Sequence, residues 1–327
     1  GNMTSEQLAD NPPVSLDKLY QYVCKDLDEA IDTLPESYGK AWGTRYTKYT
    51  ALAVKAKLAM YQADWATAAA AANEIIASGK FALQSDLRYL FSIDGEGCSE
   101  SLMEIESSDL GQSSGSAPYV LYGYYQGPRN NKPSGMQGWG FNVPNTNLLT
   151  FMQGRGESKR IDITFLERGT TTPEGDYISE DCPNRYYNGK VYTPNSTNTY
   201  NTNAYAYDHN IRLIRYAEIL LIYAEALANG VPAGSCGLSA DDALHLVQDR
   251  AGIAQTSATL ENIYDERRAE LALEGNRIFD LMRLGRVGDA VGAQYPKAKT
   301  NFHTYFPIPS TQITLNKGLE PTPGYTY

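Results

Sequence analysis

The side chains best able to do chemistry in this 327-residue sequence are carboxylates. Glu218 and Glu225 lie seven residues apart, on one face of a predicted helix that is otherwise apolar almost all round. Paired carboxylates serve as acid and base in glycoside hydrolysis, where the acid needs a raised pKa. Here arginines crowd the acidic residues: Glu266, Arg267, Arg268, Glu270, Glu274, Arg277, Asp280 and Arg283 cluster downstream. A neighbouring guanidinium lowers a carboxylate's pKa, the reverse of what an acid catalyst needs. Charges amid Leu and Ala faces must be paired. Glu218, Glu225, Glu266, Arg267, Arg268, Glu270, Glu274 and Arg277 therefore read as ion pairs that hold helices together, with no catalytic residue among them.

Other chemistries lack their context. Gly111-Gln112-Ser113-Ser114-Gly115 spells G-x-S-x-G, but that nucleophile turn needs a helix after the serine, and Ser116-Ala117-Pro118 breaks one. His209, His245 and His303 are far apart and in no metal-binding spacing, and Cys24, Cys98, Cys182 and Cys236 lack any C-x2-C pair. No metal site is expected. Phosphate-cradling glycine loops are also missing, so no nucleotide cofactor is expected. A net charge of −10 opposes nucleic-acid binding, which depends on clustered Lys and Arg. The most apolar run is about half the roughly twenty residues that a membrane helix needs.

What remains is an aromatic signal. There are 25 Tyr against 8 Phe and 3 Trp, an excess that suggests wet surfaces, since Tyr carries a polar handle. Eleven of the tyrosines fall between Tyr119 and Tyr207, in a tract rich in Gly, Ser, Asn and Pro. Ordered binding loops are expected there, because disordered tracts are poor in aromatics. Aromatic faces stack on the C–H faces of sugar rings while amides bond the hydroxyls. Tyr119, Tyr122, Tyr124, Tyr125, Asn130, Asn131, Gln137 and Trp139 are the candidate ligand-binding residues. The alternative is that these rings pack the loops down or face a protein partner.

The elements that must position these residues are mostly helical. Ser15 can cap a helix running to about Leu34, with apolar residues from Leu16 to Ile31 at helical spacing. Thr47 to Gln62 and Trp65 to Ser78, the second capped by Asp64, form an Ala-rich hairpin that resembles one tetratricopeptide unit, with Trp65 as a packing anchor. After the loop-rich tract from 84 to 208, with a few short strands at most, helices are predicted over Asn210–Asn229, Ser239–Ala251, Leu260–Glu274 and Asn276–Leu284. Four prolines between Phe306 and Tyr327 argue against regular helix there and for an extended strap. The fold class is all-α, one domain over 1–327, divided into helical repeats (15–83), a loop-rich ligand-binding region (84–208) and C-terminal helices with the tail (209–327).

Several segments together resemble the SusD/RagB family of outer-membrane lipoproteins. The most specific is Ile263 to Arg286, IYDERRAELALEGNRIFDLMRLGR. Arg215-Tyr216-Ala217-Glu218, Ala224-Glu225-Ala226, Arg250-Ala251-Gly252, Pro307-Ile308-Pro309 and Pro323-Gly324-Tyr325 fit in order and spacing, as do Asp26-Leu27-Asp28-Glu29-Ala30 and Leu34-Pro35 near the start. The resemblance implies a scaffold of tetratricopeptide-like repeats, a lipid-anchored position on the outer membrane, no catalysis, and partnership with a SusC-like TonB-dependent transporter. It implies an oligosaccharide or polysaccharide ligand, with a peptide-binding or purely structural lid as the alternative; a helical glycoside hydrolase built on Glu218 and Glu225 stands third, on the residues alone. Family members usually carry a further N-terminal segment that begins with a lipidated Cys; Gly1 reads as a cleavage scar, and that segment is expected to be missing here. The matching motifs are scaffold motifs, so none carries over a binding residue.

Overall fold

The structure is a computed structural model that describes residues 14–38, 45–106, 122–131, 137–196, 209–292, 306–316, 318–322 and 325. The chain divides into two compact units, 29–277 and a smaller one combining 1–28 with 278–327. Helix dominates both, with short strands confined to two small antiparallel sheets.

The first helix, α1 (Leu16–Thr33), takes its cap from Ser15, whose Oγ accepts the Lys18 N–H at 3.3 Å. Its apolar stripe is where periodicity puts it, yet none of its residues is buried: Leu16 is 61% exposed. Periodicity tells which face is apolar, not what covers it. The hairpin of α2 (Lys48–Tyr61) and α3 (Trp65–Ala77) starts at a Thr47 capping box and a cap from the Asp64 carboxylate to the Thr67 N–H. Ala53, Ala56, Ala68 and Ala72 are fully buried between the two helices, where small side chains permit close approach, and Trp65 packs partly buried against the same core.

The loop-rich tract holds more helix than its composition suggests. A short turn, α4 (Leu87–Leu90), leads to β1 (Ser101–Ile105), then α5 (Tyr122–Gln126), α6 (Thr146–Gly154), α7 (Lys159–Thr164) and a two-stranded ribbon of β2 (Phe165–Glu167) and β3 (Tyr186–Asn188). The helix predicted from Asn210 does not begin there. Ile211–Arg215 forms β4, antiparallel to β1 with Ile105 opposite Ile211 and Ser101 opposite Arg215. Two β-branched isoleucines and an available edge outweigh the helical periodicity that continues into the next segment.

Helix α8 (Tyr216–Ala228) then runs through the core, with every residue from Tyr216 to Ala226 buried against α3, α2, α9 (Ala240–Ala251) and α10 (Leu260–Glu270). Ser239 caps α9 in a capping box with Asp242, and Gly252 closes it at φ 74°, a left-handed turn that glycine adopts without strain. The predicted continuation of α10 to Glu274 stops at Glu270, because Leu273 turns left-handed (φ 65°). Then follow α11 (Arg277–Arg283), α12 (Val287–Gly292) and α13 (Ser310–Leu315). The last corrects the expectation of a helix-free tail: Pro309 stands just before the helix, where a missing N–H costs nothing, and residues 310–315 contain no proline. The tail closes on itself as Ile308 N–H donates to Thr322 Oγ1 at 3.1 Å.

Candidate functional site

Two assemblies of reactive side chains stand out, one buried and one exposed. The buried one joins five cations, Arg155, Arg160, Lys190, Arg215 and Arg250, to five carboxylates, Glu100, Glu157, Glu266, Glu270 and Glu274, in one unbroken chain of ion pairs. Opposite charges balance, which is the condition for keeping so many in a low-dielectric interior. Arg215 reaches Glu100 at 2.6 Å, Glu270 at 2.9 Å and Glu274 at 2.8 Å; Arg250 bridges Glu100 (3.1 Å) to Glu270 (2.5 Å). Arg160 binds Glu266, Glu157 at 2.9 Å and Glu270 at 2.8 Å. The left-handed turn at Leu273 directs Glu274 back to Arg215 and Lys190. Burial by itself would push the Glu270 carboxyl up, but Arg250, Arg160, Arg215 and Lys190 outweigh it and hold it well below the usual range.

Of the charged residues singled out in the sequence, Glu218 lies beside this chain of pairs, 3.1 Å from Lys57 Nζ and 3.3 Å from Arg267, while Lys57 also donates to Asn276 at 2.6 Å. Glu225 is fully buried and Arg277 half-buried at the start of α11. Arg268 forms no ion pair with a described residue; its guanidinium lies 3.9 Å over the Phe151 ring and donates to Asn147 at 2.6 Å. Asp280 and Arg283 pair with each other at 2.9 Å in the smaller unit. The cations that do most of the pairing in the buried chain, Arg155, Arg160, Lys190, Arg215 and Arg250, lie outside the downstream cluster. Apart from the i,i+3 pair Arg160–Glu157, local spacing hardly signals them, since their partners are up to 150 positions away.

The exposed assembly is aromatic. Helix α5 sets Tyr124 and Tyr125 beside the segment 137–141, which is laced to it by main-chain bonds from Trp139 N–H to Tyr124 C=O (3.0 Å) and Phe141 N–H to Tyr125 C=O (2.8 Å). Rings of Tyr125, Trp139 and Phe141 meet at centroid distances of 5.7–6.2 Å: Tyr125 and Phe141 are stacked at 26°, and Trp139 stands across them at 78° and 76°. Yet the three remain 40%, 51% and 55% exposed, an apolar corner that nothing described covers. A clasp of amides fixes it: the buried Gln126 side-chain carbonyl accepts from Asn142 (2.7 Å) and Asn188 (2.8 Å), and Asn142 also donates to the Leu273 carbonyl (2.9 Å).

The candidate ligand residues divide accordingly. Tyr125 and Trp139 are on the corner; Tyr124 touches both but is half-buried against Tyr192. Tyr122 and Gln137 are half-buried, and burial raises the Tyr122 phenol's pKa. Asn130 is exposed at a left-handed turn (φ 61°). Asn131 is fully buried, its side-chain carbonyl accepting the Ser179 N–H at 2.8 Å, so it holds the loop. Tyr119 and the G-x-S-x-G segment lie outside the described residues, as does His303. Phe141 joins the corner without any signal in the sequence, because Gly140 turns left-handed (φ 70°) and brings its ring to 5.8 Å from that of Trp139, a meeting that strand alternation does not predict. Gly138 is the tight point: a Cβ there would sit 2.2 Å from the Tyr124 carbonyl oxygen. Gly138→Ala should cost about 1–3 kcal/mol and turn Trp139 out of register; a thermal melt and a Trp fluorescence spectrum matching the parent protein would refute the close approach.

Among the described residues no group of three metal-ligating side chains gathers, the four cysteines are unbridged, and no helix is long and apolar enough to cross a membrane. The chain is thus a helical scaffold pinned by buried charge that presents an exposed aromatic corner. Residues 169–325 match the SusD family model. Two curated proteins of Formosa agariphila, SusD-like proteins P2 and P25, are each 26% identical over 94% and 93% of this chain, which spans 65% and 63% of their length. Among solved structures, surface glycan-binding protein A from Bacteroides thetaiotaomicron in complex with laminarihexaose is 25% identical with a TM-score of 0.79, over 96% of this chain and 72% of that one. The Bacteroides fluxus protein of the same name is 27% identical with a TM-score of 0.78, over 98% and 76%. In sequence pattern over its C-terminal half and in fold throughout, the chain is similar to SusD-like proteins.

Proposed function

We propose that this protein captures a neutral oligosaccharide on the corner formed by Tyr125, Trp139 and Phe141, without catalysis, and passes it to a SusC-like TonB-dependent transporter at the outer membrane. The observation that carries the reading is the exposure of three mutually packed rings: an apolar cluster held by a dedicated amide clasp, yet left in water, is built to be covered by a ligand. Sugar rings offer flat C–H faces for such platforms. Because Trp139 stands nearly perpendicular to the other two rings, the corner suits a chain whose successive sugars turn, more than a flat ribbon. The laminarihexaose in the complex of the Bacteroides thetaiotaomicron protein makes that oligosaccharide the first probe. Of the two carboxylates that could have made a hydrolase, Glu218 is buried in ion pairs with Lys57 and Arg267 and Glu225 is fully buried in the core, which supports the non-catalytic reading.

Each exposed ring should contribute about 1 kcal/mol of stacking, so Trp139→Ala, which also removes the edge contacts to both neighbours, should weaken laminarihexaose binding about tenfold. Its melting temperature should stay within a few degrees of the parent's, since an exposed ring supports little of the core. Calorimetric titration against laminarihexaose and cellohexaose reads the first effect and a thermal melt the second. Unchanged affinity with a lowered melting temperature would make the corner a packing feature; no sugar bound, with loss of the transporter on co-purification of Trp139→Ala, would make it a docking face.

A further inference from the structure

A cavity of about 630 Å³ lies between α6, α7 and the β2–β3 ribbon, and none of Tyr125, Trp139 and Phe141 lines it. Its apolar wall is Leu149, Ile161 and Phe165, the last packed edge-on to Tyr186 at 5.3 Å. Its polar lining includes Thr146, Gln153 and Thr171, whose side chains make no hydrogen bond to any described residue and so remain available. Two arginines and two carboxylates also line it, and each is engaged. Arg88 holds Asp162 at 3.0 Å and Glu174, just outside, at 3.1 Å; Arg185 holds Glu167 at 2.9 Å and lies 4.9 Å over the Tyr186 ring.

The chemistry of that lining narrows the occupant. An anion would meet three carboxylates, Asp162, Glu167 and Glu174, against two guanidiniums that already pair with them. A cation would find each of these carboxylates already beside a guanidinium. A wholly apolar ligand would leave the amide and hydroxyls of Gln153, Thr146 and Thr171 without partners. A neutral ligand with apolar faces and many hydroxyls satisfies every side of the cavity, and the volume lies in the ~300–1,000 Å³ range of small-molecule sites, room for roughly two or three hexose units. We propose that this cavity is a second saccharide site, for a neutral di- or trisaccharide or the end of a longer chain.

The test isolates it from the corner. In a Trp139→Ala background, laminaribiose, cellobiose and maltose at millimolar concentration are screened by saturation-transfer NMR, and the best is titrated. Gln153→Ala, a change at an exposed helix position, should weaken that disaccharide severalfold; Thr171→Trp, which fills the cavity, should abolish its binding. Both should keep the parent melting temperature. A uronic-acid disaccharide should bind more weakly than its neutral counterpart. No signal from any neutral disaccharide, residual binding indifferent to both substitutions, or preference for the uronic acid overturns the proposal. The corner is judged separately: laminarihexaose binding to Thr171→Trp alone reports on it, so either site can fail while the other stands.

Discussion

Arg215→Ala should lower stability by about 3–5 kcal/mol, a fall in melting temperature of roughly 10 °C for a chain of this size. Arg215 is 1% exposed and holds three carboxylates, Glu100, Glu270 and Glu274; its loss strands negative charge where water cannot reach. Burying a charge without a partner costs more than the pair gains when intact, so the single substitution is far worse than a paired removal. Arg215→Ala combined with Glu274→Ala should therefore recover part of the loss, a coupling that a double-mutant cycle reads directly. The exposed pair Arg185–Glu167, at 64% and 39% side-chain exposure, is the control: either alanine there should change stability by about 1 kcal/mol or less. If Arg215→Ala melts like the control, the buried chain of ion pairs does not hold the scaffold.

Stability should also fall on acidification in two stages. His209 is buried, and burial first, then the nearby Arg212 guanidinium, pulls its pKa down to about 4 despite the Phe91 carbonyl 3.0 Å from Nε2. An unfolded His titrates near 6.5, so between those values the unfolded chain binds a proton that the folded one refuses. That contribution is fully present above about pH 6.5 and is lost as pH falls toward 4, worth about 3 kcal/mol over the window. Glu270 acts lower. Its pKa is held down in the folded state, so its stabilisation is present above the unfolded carboxylate value and disappears as pH drops below it. Denaturant melts from pH 7.5 to 3.5 should show a slope beginning near 6.5, and His209→Gln should flatten that first stage while leaving the second. A profile level from pH 7 to 5 in the parent protein would contradict the buried neutral imidazole.

Local chemistry in the sequence determined the scaffold. Thr47, Asp64 and Ser239 cap their helices because a side-chain oxygen three residues from a free N–H needs no distant partner, and Gly252 ends α9 because only local backbone conformation is at stake. The Ala-rich hairpin follows from helical spacing for the same reason. The exposed pair Tyr125 and Trp139 was visible as an aromatic excess in a loop-rich tract, where composition already departs from a packed core.

Tertiary contact decided the rest. Ile211–Arg215 became a strand because β1, more than a hundred residues earlier, supplied an edge, and no periodicity within the segment reports a partner so remote. Asn131 resembled a ligand amide by type, and only its burial against Ser179 shows that it is spent on the loop. Arg160 and Lys190 sit in unremarkable polar stretches, and became part of the buried charge chain when folding carried them to Glu266, Glu270 and Glu274. A charge in the sequence shows its sign and its neighbours along the chain. Whether it is solvated, paired or catalytic depends on dielectric and on distance in space, which only the fold sets.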